Sequence, residues 1–390
     1  MASRWWLYTS RLPKGERGDQ GSALTFNEFP FTHRLCTSLP RLDEELFFFS
    51  GAWDGSGTVW TSVETQRLHK ELRGWAAKSK AGSTFKKYRT PWKRWVTWAV
   101  ERTRGGEHTP IIPADPLHLA LHLTKLAEEH PTATSVVETA VTALNTIHRV
   151  NGAPEPYSYL SKVVNDGVRR ARGKSKKKAK PLTTEIIRKI ASEWGHEGAP
   201  LWQNMMATLI TVGFATFCRV TELFALTRED VTFEKDLMRV FIEESKTDQF
   251  RHGAWILVAR TRTSLCPVLM MVKYLERLNP ESGEPLFRTI WRRTLRTEGQ
   301  ESLGTLAMYS SIYHKYFRQG LMELAGVSEA EAQLYSGHSM RRGGATAAAL
   351  GRVPDHLRMS HGRWVSQATA DGYIGVLQRD AMQLTLSLGL

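Results

Sequence analysis

Residues able to do chemistry on an anion cluster near the end of this chain. In YSGHSMRRGGAT, 335–346, His338 and Arg341 are spaced to share one face of a helix, and Gly343-Gly344 permit another backbone to come close. In HGRWVSQATADGYIGV, 361–376, His361 and Trp364 stand three apart ahead of a single tyrosine, Tyr373. Arg342 falls on a different helical face and is not counted with them. A guanidinium, an imidazole, an indole N–H and a phenol are the groups that a phosphoryl-transfer site uses to hold oxygens, move protons and attack. His361 and Trp364 compete for one place in such a site, and this stretch alone does not choose between them.

Two upstream residues bear on the same chemistry. Arg219 lies in GFATFCRVTELFAL, where a buried guanidinium is costly unless paired, and Glu222 follows one turn later to orient it. Lys246 sits in EESKTDQFRHG, a turn between two strand-like runs, from which a long side chain can reach away from the sheet. Arg219, Lys246 and Tyr373 each also have a plain structural reading: a buried ion pair, a solvated lysine, a packing tyrosine.

The elements that must position these residues can be read along the chain. At 390 residues and 41% hydrophobic content there is room for two domains and an arm. The longest nearly uncharged run, 201–218, is interrupted by Gln, Asn and Thr and reads as a buried helix rather than a membrane span. The start of the chain lacks the apolar stretch of a signal peptide. Cys36, Cys218 and Cys266 make neither a disulfide framework nor a zinc pattern, so a reducing compartment and no metal are expected. Charge is unevenly spread: 67–180 holds 23 Lys+Arg against 9 Asp+Glu, and the rest of the chain carries 30 of each sign. Such a block points to a polyanionic partner, by default nucleic acid.

Residues 1–61 show no sustained period and are expected to form a loosely ordered arm. From 62 to 172 the pattern is helical throughout, giving an all-α bundle of four or five helices. Its second helix puts Phe85, Tyr88, Trp92, Trp95 and Val96 on one face and Lys86, Lys87, Arg89, Lys93 and Arg94 on the other, with Ser83 or Thr84 as cap. The aromatic face reads as core and the basic face as a DNA-binding stripe. A basic linker over 173–182, carrying Lys174, Lys176, Lys177 and Lys178, could also lie along DNA. The second domain, 183–390, begins with a helix at 183–194 and a long helical pattern over 200–226. A run of strands follows around VTFEK, DLMRVFIEES and GAWILVAR, then helices at 266–278, 309–325, 340–351, 354–360 and 366–376. The expected fold is therefore mainly α: an all-α bundle, then an α+β domain with a small antiparallel sheet.

The order Arg219, Lys246, His338-x-x-Arg341, Trp364, Tyr373, over roughly 65–376, resembles the tyrosine recombinases, also called the phage-integrase family. Glu222 three after Arg219, the KTD turn at Lys246 and the nine-residue step from Trp364 to Tyr373 fit that pattern, and the step favours Trp364 over His361. The resemblance implies a site-specific recombinase that cuts and rejoins double-stranded DNA through a 3′-phosphotyrosyl link, encoded by a mobile element and acting as a homo-tetramer on paired sites. It implies Tyr373 as nucleophile, Arg219 and Arg341 as clamps on the scissile phosphate, Lys246 as general acid, His338 as base and Trp364 as N–H donor, with Glu222 and His361 behind them. It implies neither cofactor, metal nor ATP, no membrane, and a location with DNA, in nucleus or nucleoid. A type IB topoisomerase and an inactive, recombinase-derived DNA-binding protein are the alternatives; the former usually has His at the Trp364 position and lacks the His338 position. The tail after Tyr373, with Leu377, Met382, Leu384, Leu386 and Leu388, is expected to dock on a neighbour.

Overall fold

A computed structural model describes residues 61–78, 82–173, 178–245, 248, 252–292, 301–375 and 386–387. The arm over 1–60, Lys174, Lys176 and Lys177 of the basic run, the turn lysine Lys246, and the tail residues Leu377, Met382, Leu384 and Leu388 lie outside the described residues. The chain divides into two compact units at 174/175.

The first unit contains α1 (Val63–Lys78), α2 (Gly82–Arg104), α3 (Pro116–Glu129), α4 (Thr134–Val150) and α5 (Tyr159–Arg172). Pro116 opens α3 behind Asp115, whose carboxylate accepts the Leu117 and His118 N–H groups at 2.8 and 3.2 Å. Ser158 caps α5 through the Ser161 N–H. Helix α2 starts at Gly82, ahead of both caps expected for it, and continues through Pro91, where one helical N–H is missing. Its Phe85, Trp92, Trp95 and Trp98 are buried against Leu119 and Leu123 of α3 and Leu144 and Ile147 of α4. The Trp95 indole donates to the Ile111 carbonyl at 3.1 Å, so its polar edge is satisfied inside the core. On the other face Lys86, Lys87 and Lys93 are exposed, and Arg89 and Arg94 are half-buried.

The second unit runs α6 (Thr184–Trp194), α7 (Leu201–Thr216), α8 (Val220–Phe224), β1 (Val231–Phe233), β2 (Leu237–Ile242), β3 (Ala254–Ala259), α9 (Pro267–Leu278), β4 (Arg288–Arg292), β5 (Glu301–Ala307), α10 (Ser310–Glu323), α11 (Glu329–Ala332), α12 (Ser339–Leu350), α13 (Asp355–Gly362) and α14 (Gln367–Asp371). Helix α7 is buried on nearly every side, as its lack of charge requires, and packs against α6, α9 and α12. Strands β1, β2 and β3 form an antiparallel sheet in that order, with Met238, Val240 and Ile242 of β2 facing the core and Val240 paired to Val231 and Ile256.

Three details differ from the sequence reading. The long helix expected over 200–226 breaks at Phe217, whose φ of 52° is left-handed, so Arg219 lies between two helices rather than inside one. A second antiparallel pair, β4–β5, was not anticipated. The final helix stops at Asp371, so Tyr373 stands just beyond α14. Among the described residues, no helix is long and apolar enough to cross a membrane and no three His, Cys, Asp or Glu side chains are grouped to hold a metal ion.

Candidate active site

The break at Phe217 exposes backbone groups that the site uses. Arg219 occupies the cap of α8: its N–H donates to Glu222 Oε2 at 2.8 Å and its Nη1 to Oε1 at 2.6 Å. Glu222 is nearly inaccessible, its side chain 4% exposed. Burial, the largest influence, pushes its carboxyl up; Arg363 and Arg219 outweigh it and hold the group below the usual carboxylate range.

Helix α12 brings in the second arginine. Gly343 and Gly344 let it pass through the interior, because a Cβ at either position would lie 2.2–2.3 Å from the carbonyl oxygen of Leu182 or Phe214. One turn earlier Arg341 is wholly buried. Its Nη2 donates to the Gly362 carbonyl at 2.6 Å, and its Nη1 donates to the Phe217 carbonyl freed by the left-handed break. The guanidinium lies 4.7 Å from the Trp364 ring centroid and 5.0 Å from that of Tyr373. Burial, then the charge of Arg219, lowers its pKa to about 10, against the pull of Tyr373 and Glu222, so it remains a cation at neutral pH.

Trp364 is placed by a tight turn. Gly362 ends α13, and a Cβ there would sit 2.3 Å from the indole ring, so only glycine lets the ring fold back. Arg363, next in line, adopts φ 55°, a left-handed conformation that costs a non-glycine residue about 1–2 kcal/mol. Beyond it the Trp364 ring packs against Tyr373 at a tilt of 32°, with centroids 5.2 Å apart, and Phe217, Ala345 and Ala370 complete a small apolar seat. His338, the residue just before α12, presents its ring 6.2 Å from that of Tyr373. His361 faces inward: its Nε2 is 2.8 Å from the Ala215 carbonyl, its ring meets Phe217 edge-on at 4.7 Å, and burial lowers its pKa.

Arg219, Glu222, His338, Arg341, His361, Trp364 and Tyr373 thus converge from elements up to 154 positions apart in the chain. Lys246 is outside the described residues. Two arginines were missed. The sequence places Arg342 on a different helical face from Arg341; in the structure it too is buried, and its Nη1 donates at 2.7 Å to the carbonyl of Gly372, the residue before Tyr373. The signal was its company: in a helix preceding two glycines, the neighbouring face is also interior. Arg363 reaches Glu222 Oε2 at 2.7 Å. Lys178, expected in the basic linker along DNA, places its ammonium 3.4 Å from the same Gly372 carbonyl. On the far side of the tyrosine, the Gly375 N–H donates to Thr346 Oγ1 at 2.8 Å, so α12 holds both flanks of the turn. Buried guanidiniums beside a phenol and an imidazole make a receptor for a multiply charged oxyanion and a nucleophile for it.

No protein-family model matches the chain. A curated relative named integrase/recombinase xerD homolog, from Selenomonas ruminantium, is 28% identical over 314 residues, covering 79% of this chain and 86% of that protein. Among solved structures, the XerH site-specific recombinase bound to a palindromic difH substrate aligns with a TM-score of 0.50 at 12% identity, covering 88% of this chain and 93% of that one. That likeness concerns the fold: a helical unit followed by a helical domain with small antiparallel sheets. Sequence similarity across most of both chains and the shared fold agree with the resemblance of this chain to the tyrosine recombinases.

Proposed function

We propose that this chain is a site-specific DNA recombinase that cuts and rejoins double-stranded DNA through a 3′-phosphotyrosyl intermediate, with Tyr373 as nucleophile. The observation that carries this reading is the stack at the site: the buried Arg341 guanidinium under both Trp364 and Tyr373, sensing Arg219, with the His338 ring beside the phenol. In the first step Tyr373 Oη attacks the scissile phosphorus and the bond to the 5′-oxygen breaks. A free phenol titrates near pH 10 (about), so the proton must be taken as attack proceeds, which is the role of His338. Lys246 supplies the proton to the leaving 5′-oxygen. Arg219 and Arg341 hold the non-bridging oxygens as charge builds, and losing one such donor costs about 10²–10³ in rate.

Trp364 is the better candidate for the phosphate-side N–H donor, because His361 Nε2 is already engaged with Ala215 while the Trp364 indole nitrogen has no partner among the described residues. The Tyr373 ring covers one face of the Arg341 guanidinium, which lies 5.0 Å from the ring centroid. Phosphate binding therefore requires the ring to swing off the guanidinium, exchanging a cation–π contact of about 0.5–2 kcal/mol for stronger charge-assisted hydrogen bonds. The phosphotyrosyl bond retains the energy of the one broken, so a second 5′-hydroxyl can reverse the step without ATP or metal. The basic face of α2, with Lys86, Lys87, Arg89, Lys93 and Arg94, binds the DNA backbone. Two duplexes with four scissile phosphates call for a tetramer, as in a mobile-element integrase.

The test is a nicked suicide substrate carrying the DNA repeats that flank the gene. Wild-type protein accumulates a covalent adduct and Tyr373→Phe accumulates none; adduct formation by the variant contradicts the assignment.

A further inference from the structure

Glu222 lies between two guanidiniums rather than one. Its Oε1 meets Arg219 Nη1 at 2.6 Å and its Oε2 meets Arg363 Nη2 at 2.7 Å, with side-chain exposures of 4%, 16% and 14% for Glu222, Arg219 and Arg363. Arg363 reaches this place only because its left-handed backbone turns the side chain from the end of α13 back toward α8. Its Nη2 also lies 3.7 Å from Cys218 Sγ, while its Nε and Nη1 are buried with no partner among the described residues. A strained, desolvated arginine committed to a carboxylate that another arginine already pairs with needs a reason beyond packing.

We propose that Arg363 is a positioning residue for Arg219: by taking a share of the Glu222 charge, it keeps the carboxylate ionised and in place while leaving Arg219 with uncompensated positive charge for the bound phosphate. One carboxylate between two guanidiniums leaves a net unit of positive charge. One carboxylate on Arg219 alone is a neutral pair, whose field at a neighbouring phosphate falls off as that of a dipole and not of a charge. Arg363 is the strongest influence holding Glu222 ionised against its burial, ahead of any single contribution of Arg219. It also stands close enough to Arg341 for its charge to act there. Glu222 thus sets the geometry of Arg219, and Arg363 sets how much of the Arg219 charge reaches substrate. The catalytic arm of this inference rests on the proposed function; its electrostatic arm does not.

The experiment compares Arg363→Gln and Arg363→Lys with wild type, using the full chain. In DNA-free protein labelled with 13C at Glu side-chain carboxyls, the Glu222 resonance is assigned by its loss in Glu222→Gln and titrated. Its midpoint moves up in Arg363→Gln and stays near wild type in Arg363→Lys. An unchanged midpoint in Arg363→Gln overturns the inference whether or not the chain cleaves DNA. With a nicked duplex at saturation, Arg363→Gln slows adduct formation by at least about tenfold, and the acid limb of its rate profile moves to higher pH. DNA affinity stays within about twofold, and Arg363→Lys recovers most of the rate. A uniform loss at every pH with no recovery by Lys marks a purely structural role and also overturns the inference. Absence of adduct in wild-type protein defeats the proposed function, and the carboxyl titration still decides the role of Arg363.

Discussion

Replacing Gly362 by Ala tests how the site is held together with a single added methyl group. The new Cβ would lie 2.3, 2.4 and 2.6 Å from three carbons of the Trp364 ring, where ordinary contact begins at 3.4 Å. The ring must therefore retreat by about 1 Å, a shift in the range at which catalytic geometry loses about 10²-fold in rate. It cannot retreat freely, because Arg341 lies 4.7 Å from its centroid and Tyr373 5.2 Å. Overpacking of this kind costs about 1–3 kcal/mol of stability. Single-turnover cleavage of a nicked duplex and thermal unfolding are measured together: the expected result is a rate reduced about 10²-fold with a modest fall in Tm. Gly167→Ala in α5 is the control, since nothing lies within 4 Å of a Cβ there, and it should leave the rate unchanged while gaining up to about 1 kcal/mol from the helix. A Gly362→Ala protein that cleaves at the wild-type rate would refute the packing of Trp364 on this turn as the means of placing Tyr373.

Further outcomes follow from the same contacts. His122 is buried between Trp95 and Trp98, and burial, with Lys125 and Arg94 nearby, lowers its pKa to about 4. The unfolded chain takes up that proton near pH 6.5 (about), so the helical unit is fully stable above that pH and loses about 2 kcal/mol on going to pH 5. Urea unfolding at the two pH values should show this loss in wild type and not in His122→Leu. Replacing Lys86, Lys87 and Lys93 together by Ala should lower the slope of log K against log salt by about 2–3; an unchanged slope would remove α2 from the DNA interface. Arg342→Met keeps the packing but drops the bond to the Gly372 carbonyl, of a class worth about 1.5–3 kcal/mol. Cleavage should slow with DNA affinity retained, and equal loss of both would point to a general collapse instead.

The candidate site residues legible in the sequence are those whose spacing carries local geometry. Arg219 with Glu222 and His338 with Arg341 lie three residues apart, Trp364 and Tyr373 nine, and the structure joins the three pairs at the Phe217 break. That break was not legible: 200–226 carries one helical pattern with no helix-stopping glycine or proline at 217, and a left-handed phenylalanine carries none of the signal that a glycine there would give. Arg363 escaped for the same reason, since the left-handed turn that aims it at Glu222 is made by the arginine itself. Arg342 was misread because a helix was assumed to have one buried face, whereas α12 passes through the interior and is buried all round from Ser339 to Thr346. Strands β4 and β5 were missed because Gly304 and the polar residues of ESLGTLA read as loop, and only pairing with RTIWR makes them a strand. The bundle was legible throughout, because Phe85, Trp92 and Trp95 repeat at helical spacing and every one of them is buried.

Whether Tyr373 carries the covalent bond to DNA is decided most directly by mass spectrometry of the adduct formed on a nicked duplex. After digestion of protein and DNA, the expected product is a nucleotide joined through its 3′-phosphate to the peptide containing Tyr373. A phosphoryl link on any other residue, or a link through a 5′-phosphate, would contradict it.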